Sequence, residues 1–196
     1  DNINKPKLGA FTLDKTGDST IAYSDASTGT NKYVSAVLTD QSTGNFVNYA
    51  KLANTTNASG TGAIKAGNIT TGTYNMLVFG EEANGDYLTD YASEFTSAIP
   101  VTFTGGKLTG MTLDENYTDA SNAVKLINGF TLALANATYN QDFTSVQGSN
   151  RLIADATNGT TIAGDVNVAN VATLTTVNEF TLKGTNTIDG TLAGDP

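Results

Sequence analysis

Turn-forming clusters interrupt this chain at short intervals, and they limit it to folds built from short strands. Runs of β-prone residues alternate with clusters of Asp, Asn, Gly and Thr in the first half of the chain; these runs are 8–13, 33–39, 45–52, 74–82 and 86–95. Asn84-Gly85 separates the last two runs and predicts a β-hairpin, because both turn positions of such a hairpin need positive φ. The shorter runs 20–23 and 99–103 bring the total to about seven strands in about 100 residues, which predicts a β-sandwich.

The second half also predicts strands, but with a different pattern of apolar and turn-forming residues. The apolar run 123–137 is interrupted by Asn128-Gly129, which favours two strands around a turn over one helix. From residue 160 onward, short apolar stretches alternate with Thr, Asn and Gly, as in the rungs of a β-solenoid. No fixed period is visible, so a second antiparallel β module is the alternative. The sequence therefore predicts an all-β chain: an Ig-like β-sandwich followed by an antiparallel sheet or a short β-solenoid.

Gly105-Gly106 marks the predicted boundary between the two modules. We expect an Ig-like module over residues 1–106 and a second β-rich module over residues 107–196, with a boundary at any point from 104 to 122. The chain opens without the pattern of a signal peptide, which we interpret as a mature start or an artificial boundary. No run of about 18 apolar residues occurs, so no membrane span is predicted.

Composition excludes several classes of function. The 196 residues include no Cys, His or Trp, which excludes Cys-rich zinc sites, disulfides and triads with a His base. The formal net charge of −9 repels phosphate backbones, and Arg151 is the only Arg, so nucleic-acid binding is not expected. We predict no catalysis. An acidic chain without Cys and rich in Thr and Asn favours an exported, extracellular protein.

Two segments of the first half carry a resemblance to a known class of module. Residues 34–52 (VSAVLTDQSTGNFVNYAKL) and 72–93 (GTYNMLVFGEEANGDYLTDYAS) resemble the immunoglobulin-like or fibronectin-type-III-like modules of Gram-positive bacterial surface proteins. The Gly-Thr-Tyr opening of a strand and the Asn-Gly-Asp-Tyr hairpin carry this likeness, which covers about residues 1–104. The resemblance implies a spacer, stalk or assembly role and supplies no catalytic residues.

Acidic loops are the candidate metal sites. Calcium takes six to eight oxygen ligands, and loops supply them at alternating positions. The first candidate site contains Glu82, Asn84, Asp86 and Asp90, and the second contains Asp114 and Asp119. The alternative interpretation is a solvated hairpin tip for the first and a polar linker for the second.

Aromatic residues of the first half are predicted to serve mainly as core and cross-strand pairs, with a sugar- or partner-binding patch as the alternative; they are Tyr49, Tyr74, Phe79, Tyr87 and Tyr91. The expected function is a structural or adhesive module of a bacterial surface layer, stalk or filament. Its partners would be further copies or neighbouring repeats, met through strand edges of the C-terminal half. The alternative function is a carbohydrate-binding module of a secreted protein, with polysaccharide as its ligand.

Overall fold

The computed structural model describes residues 3–65, 68–82, 91–146, 150–154, 159–176 and 180–194. Within these ranges the chain is all-β, as predicted, and its only helices are two short 3-10 turns, Glu115–Tyr117 and Ala120–Asn122. The chain forms two compact units. Unit 1 contains Asp1–Gly9 and Asp18–Lys107, and unit 2 contains Ala10–Gly17 and Leu108–Pro196. The predicted division into two consecutive modules, 1–106 and 107–196, differs from this one because residues 10–17 belong to unit 2.

Unit 1 is built from antiparallel strands. They are the first three residues of β1 (Lys7–Asp14), then β2 (Ser19–Ser24), β3 (Lys32–Asp40), β4 (Phe46–Asn54), β5 (Gly60–Ile64), β6 (Gly72–Glu82) and β7 (Ile99–Thr104). Strands β4, β3, β6 and β7 lie side by side in that order, and β2 pairs with β5. Tyr74, Met76 and Val78 alternate along β6 and are buried, which places one face of this sheet in the core of the unit.

A segment after β6 pairs with the C-terminal part of that strand. Residues 91–96 run antiparallel to β6, where Ser93 N donates to Gly80 O at 2.8 Å and Thr96 N donates to Val78 O at 2.7 Å. Two side-chain hydroxyls then accept the N–H groups of β6: Ser93 Oγ accepts from Gly80 N, and Thr96 Oγ1 accepts from Val78 N. The predicted turn at Asn84-Gly85 lies outside the described residues.

Unit 2 is built from strands that coil in repeated turns. After the remainder of β1, they are β8 (Lys107–Leu113), β9 (Val124–Ile127), β10 (Thr131–Leu134), β11 (Thr138–Tyr139), β12 (Phe143–Val146), β13 (Asn150–Ala154), β14 (Thr160–Ile162), β15 (Val166–Thr176), β16 (Phe180–Leu182) and β17 (Asn186–Gly194). The turn Asn128-Gly129 joins β9 to β10, so the prediction of two strands in the run 123–137 is confirmed. Both turn residues have positive φ.

Parallel pairing joins successive turns of this coil, which we call rungs. One column of paired strands contains β1, β9, β12, β15 and β17. A second column contains β8, β10 and β13. The two columns share their last two strands, because β15 is long enough to pair with both β12 and β13, and β17 pairs along β15. β11, β14 and β16 form the third column. Every pair among the described strands of unit 2 is parallel, so the antiparallel alternative is wrong for them. Stacked parallel rungs are the organisation that the solenoid alternative predicted.

Aligned side chains fill the inside of the coil. Phe11, Val124, Phe143 and Val166 occupy one register position on successive rungs, and all four are buried. These positions are unevenly spaced along the chain because the corners between strands differ in length. This variation explains why the sequence shows no fixed period, although the stacking is regular.

The first rung of unit 2 is interrupted by unit 1. Leu13 of β1 aligns with Leu126 of β9, and Met111 of β8 aligns with Leu132 of β10. Between β9 and β10 the chain needs only residues 128–130, whereas nearly the whole of unit 1 lies between β1 and β8. Unit 1 is therefore an insertion at one corner of the first rung.

A shortened chain tests this topology. We replace residues 15–109 with Asn-Gly-Phe, which copies the corner at 128–130 and joins Asp14 to Gly110. All parallel partners of the first rung remain, so we expect a β-type circular dichroism spectrum and a cooperative urea transition. The control begins at Leu108 and lacks β1, so we expect a lower midpoint. If the shortened chain shows no cooperative transition, the interpretation of unit 1 as an insertion in the first rung is contradicted.

Candidate functional site

A buried carboxylate lies on the face of the unit 1 sheet opposite the core residues Met76 and Val78. Glu81 of β6 and Ser35 of β3 are both fully buried. Ser35 Oγ donates to Glu81 Oε1 at 2.6 Å, and the Tyr49 hydroxyl donates to the same oxygen. A hydroxyl beside a carboxylate is one arrangement for activating a nucleophile. Here both groups are enclosed by protein, and the carboxylate fixes the orientation of the Tyr49 hydroxyl.

Four aromatic rings form a continuous row on this face, which we call the aromatic ridge: Phe46, Tyr49, Phe79 and Phe95. Phe79 is buried and contacts Phe95 edge-on, with 5.3 Å between ring centroids. Phe95 contacts Phe46 at 6.3 Å, and Tyr49 contacts Phe79 at 6.5 Å. Phe46 is 47% exposed and Phe95 is 38% exposed, so the ridge presents two rings to solvent.

The predicted aromatic residues divide between core and surface. Tyr74 and Phe79 are buried, as the core interpretation predicted. Tyr91 is 65% exposed and does not fit that interpretation. Tyr87 lies outside the described residues.

Phe46 and Phe95 were not among the predicted site residues. The sequence signal for Phe46 is its neighbour Val47, because consecutive residues on a strand point to opposite faces and a strand with one buried face exposes one of the two side chains. β4 is also an edge strand in the described sheet, so fewer neighbouring strands cover its side chains. No comparable pattern in the sequence marks Phe95.

The first predicted calcium site is described only in part. Glu82 forms an ion pair with Lys32, with 2.7 Å between Oε1 and Nζ, so this carboxylate already has a cationic partner. Asn84, Asp86 and Asp90 lie outside the described residues. Of the four predicted ligands, the described residues therefore include only Glu82.

The second predicted calcium site is used for capping. Asp114 Oδ1 accepts from Asn116 N at 2.9 Å, and Asp119 Oδ1 accepts from Ser121 N at 2.9 Å. Each carboxylate thus caps a separate 3-10 turn. Among the described residues, no group of three or more acidic, His or Cys side chains could hold a metal ion. The calcium assignment stays a prediction.

Aspartates also link the rungs of unit 2 at one corner. Asp142 Oδ1 accepts from Asp165 N at 2.7 Å, and Asp165 Oδ1 accepts from Thr185 N at 2.9 Å. Gly164 lies against the backbone carbonyl of Gln141, so a Cβ at this position would collide with it. This corner therefore depends on Asp for interstrand hydrogen bonds and on Gly for close approach of the backbone.

Asp14 organises the corner at which unit 1 is inserted. Its Oδ1 accepts from Thr16 N at 3.0 Å, from Gly17 N at 3.1 Å and from Asn128 Nδ2 at 3.3 Å. Partial burial raises the pKa of Asp14, but these hydrogen bonds outweigh that effect and hold the pKa below its ordinary value. The carboxylate is thus stabilised in its charged form.

A small apolar crevice lies beside β4, lined by residues that include Leu38, Leu52 and Met76. Its volume is about 10 Å³, which is room for one water molecule. This crevice is too small to bind an organic ligand.

Comparison of the chain with protein-family models, curated proteins and solved structures gives no match. The likeness of unit 1 to Ig-like modules consequently rests on the sequence segments alone. No helix in the described part of the chain has the length and apolar character needed to cross a membrane.

The hydrogen bonds to Glu81 predict that removing one of the donors lowers the free energy of unfolding. Ser35→Ala leaves a buried carboxylate oxygen with one donor fewer, so we expect the free energy of unfolding to fall by about 1–3 kcal/mol in urea titrations. Ser42→Ala, at an exposed loop position, is the matched control and should change it by less than about 0.5 kcal/mol. Equal stability of the two variants would contradict a structural role for this cluster.

Asp14 predicts a dependence of stability on pH. A carboxylate whose folded pKa lies below 3.8 stabilises the fold above its unfolded pKa, and this contribution is lost as the pH falls through the folded pKa. We expect Asp14→Asn to be less stable than the wild type at pH 7 and to lose less stability below about pH 4. Urea titrations from pH 7 to pH 2 measure both slopes, and parallel curves would contradict the prediction.

Proposed function

We propose that this chain is a structural or adhesive module of a bacterial cell-surface protein, such as a surface layer, stalk or filament, and that it has no catalytic role. The observation that carries the proposal is the parallel stacking of rungs in unit 2. In such a stack each rung contacts only its neighbours, so a chain can extend its length by repeating one kind of contact. Spacers and filaments need this property, whereas an enzyme needs an accessible reactive site.

Unit 1 is proposed to be an Ig-like β-sandwich. The antiparallel order β4-β3-β6-β7 and the separate β2-β5 pair support this, together with the buried alternate residues Tyr74, Met76 and Val78. A module of this kind would serve as a spacing element inserted into the sequence of the coil. The proposal carries no assignment of catalytic residues to unit 1.

An extracellular location is proposed from the composition. The chain has no Cys and a net charge of −9, and it is rich in Thr and Asn, a combination that favours exported proteins over cytosolic ones. The same charge disfavours nucleic acid as a partner. Further copies of the chain or neighbouring repeats are the proposed partners.

The edge of β17 is the proposed contact for such partners. Within the described residues, β17 pairs with β15 along one edge and no strand pairs with its other edge. Val166 N donates to Thr185 O, so by the alternation of parallel strands the backbone groups of Asn186 face away from β15. The outer edge of β17 is therefore the place where a further strand would pair, from a neighbouring repeat or from another copy of the chain.

A second candidate function is a carbohydrate-binding module. Three described aromatic residues of unit 1 favour it, because Phe46, Tyr91 and Phe95 are exposed to solvent. Single exposed apolar residues are common on protein surfaces, but Phe46 and Phe95 contact each other. Adhesion and carbohydrate binding are compatible, since a surface module can hold a polysaccharide through such residues.

Self-association tests the structural role. We expect sedimentation velocity of the intact chain to show a species that grows with protein concentration. Asn186→Pro removes one N–H from the outer edge of β17, so it should weaken association by about tenfold, whereas Asn186→Ala keeps this donor and should associate as the wild type does. A chain that stays monomeric up to millimolar concentration, or identical behaviour of the two variants, would overturn the proposed contact.

A further inference from the structure

We propose that the aromatic ridge of unit 1 binds a neutral polysaccharide and is the adhesive surface of this module. The inference rests on the proposed function, and it adds the binding site and the chemical class of the ligand. Phe46 and Phe95 are the two rings that would meet the apolar faces of sugar units. Tyr91, four residues before Phe95, adds an exposed aromatic side chain on the same segment.

The exposed rings are held in place before any ligand arrives. Phe95 is packed edge-on against the buried Phe79, which in turn contacts Tyr49. The Tyr49 hydroxyl is hydrogen-bonded to the buried Glu81 carboxylate. The backbone of the Phe95 segment is tied to β6 through Ser93 and Thr96. Rings that are already ordered lose little conformational entropy on binding, and this favours affinity from a small contact.

The size of the exposed surface favours a glycan over a folded protein. An aromatic side chain can bury at most about 150–250 Å², and both exposed rings of the ridge are less than half exposed. The two rings therefore offer roughly 200 Å² of apolar surface, against roughly 450 Å² of apolar surface per partner in a standard protein interface. A contact of this size suits a few sugar units, which can present small flat apolar faces.

The charge of the surroundings favours a neutral ligand. The ridge rings carry no charge, and two exposed charged residues beside them in the sequence have opposite signs: Lys51, on the same face of β4 as Tyr49, and Glu94, which precedes Phe95. The net charge of −9 repels an anionic polysaccharide at longer range. Thr39 aligns with Phe46 on one side and with Asn75 on the other, so partly exposed uncharged polar groups lie in the row next to the ridge. Such groups can exchange hydrogen bonds with sugar hydroxyls.

Affinity gel electrophoresis of the intact chain tests the site. The probes are four soluble neutral polysaccharides, namely dextran, galactomannan, xyloglucan and mixed-linkage β-glucan, with polygalacturonate as the anionic control. We expect at least one neutral polysaccharide to retard the wild-type chain and the anionic polymer to leave its mobility unchanged. Retardation by polygalacturonate alone, or by none of the five polymers, would overturn the proposal.

Two substitutions of Phe46 separate ring stacking from general hydrophobic contact. Phe46→Tyr keeps the ring and should bind as the wild type does. Phe46→Leu keeps apolar character without the ring and should bind at least about tenfold more weakly. Undiminished binding by Phe46→Leu would overturn the ring contact, and urea titrations of both variants establish that they are folded.

The same chains distinguish this proposal from the structural role. Asn186→Pro alters the edge of β17 in unit 2, so it should bind the retarding polysaccharide as the wild type does. Phe46→Leu should in turn leave the sedimentation behaviour unchanged. If the wild-type chain self-associates but no neutral polysaccharide retards it, only the glycan site is contradicted. If a neutral polysaccharide retards it but the chain stays monomeric, only the proposed assembly contact is contradicted.

Discussion

Continuous backbone pairing between successive rungs is the interaction on which unit 2 depends. The individual strands are short, and β11, β14 and β16 have only two or three residues each, so none of them could be stable alone. Each becomes stable because its N–H and C=O groups meet those of the next rung and its inward side chain lies on the equivalent side chain. The same pairing aligns Phe11, Val124, Phe143 and Val166 into one buried column.

The corners between strands determine whether successive rungs can stay in register. A parallel stack keeps its rungs in register only if the chain turns at equivalent points, and these turns carry polar groups that a strand ladder does not satisfy. Asp142 and Asp165 meet part of that need by accepting N–H groups from the following rung. Gly164 and Gly184 permit the backbone of one rung to approach the preceding one. Corners thereby tolerate different lengths while the strands between them stay aligned.

Local sequence patterns predicted the elements of this fold but not their pairing. Turn signals gave the all-β class and the break at Asn128-Gly129, because turn residues act through local backbone conformation. Parallel and antiparallel strands share the same alternation of inward and outward residues, so the pattern in 160–192 could not decide between them. The partner of β1 is β9, more than 100 residues later, and no local signal reports such a distance. The exposure of Phe46 and Phe95 depends on the strand order in the sheet, so the candidate site was found only in part.

Insertion of unit 1 into the first rung has a consequence for the order of events during synthesis. β1 leaves the ribosome before most of unit 1, yet its parallel neighbour β9 follows only after the rest of unit 1 and β8. Local antiparallel hairpins of unit 1, such as β3-β4, close short loops and can form while the rest of the chain is still being made. The coil must then recruit a strand that was synthesised long before. Folding of unit 2 therefore carries a high contact order, which slows the step that completes its first rung.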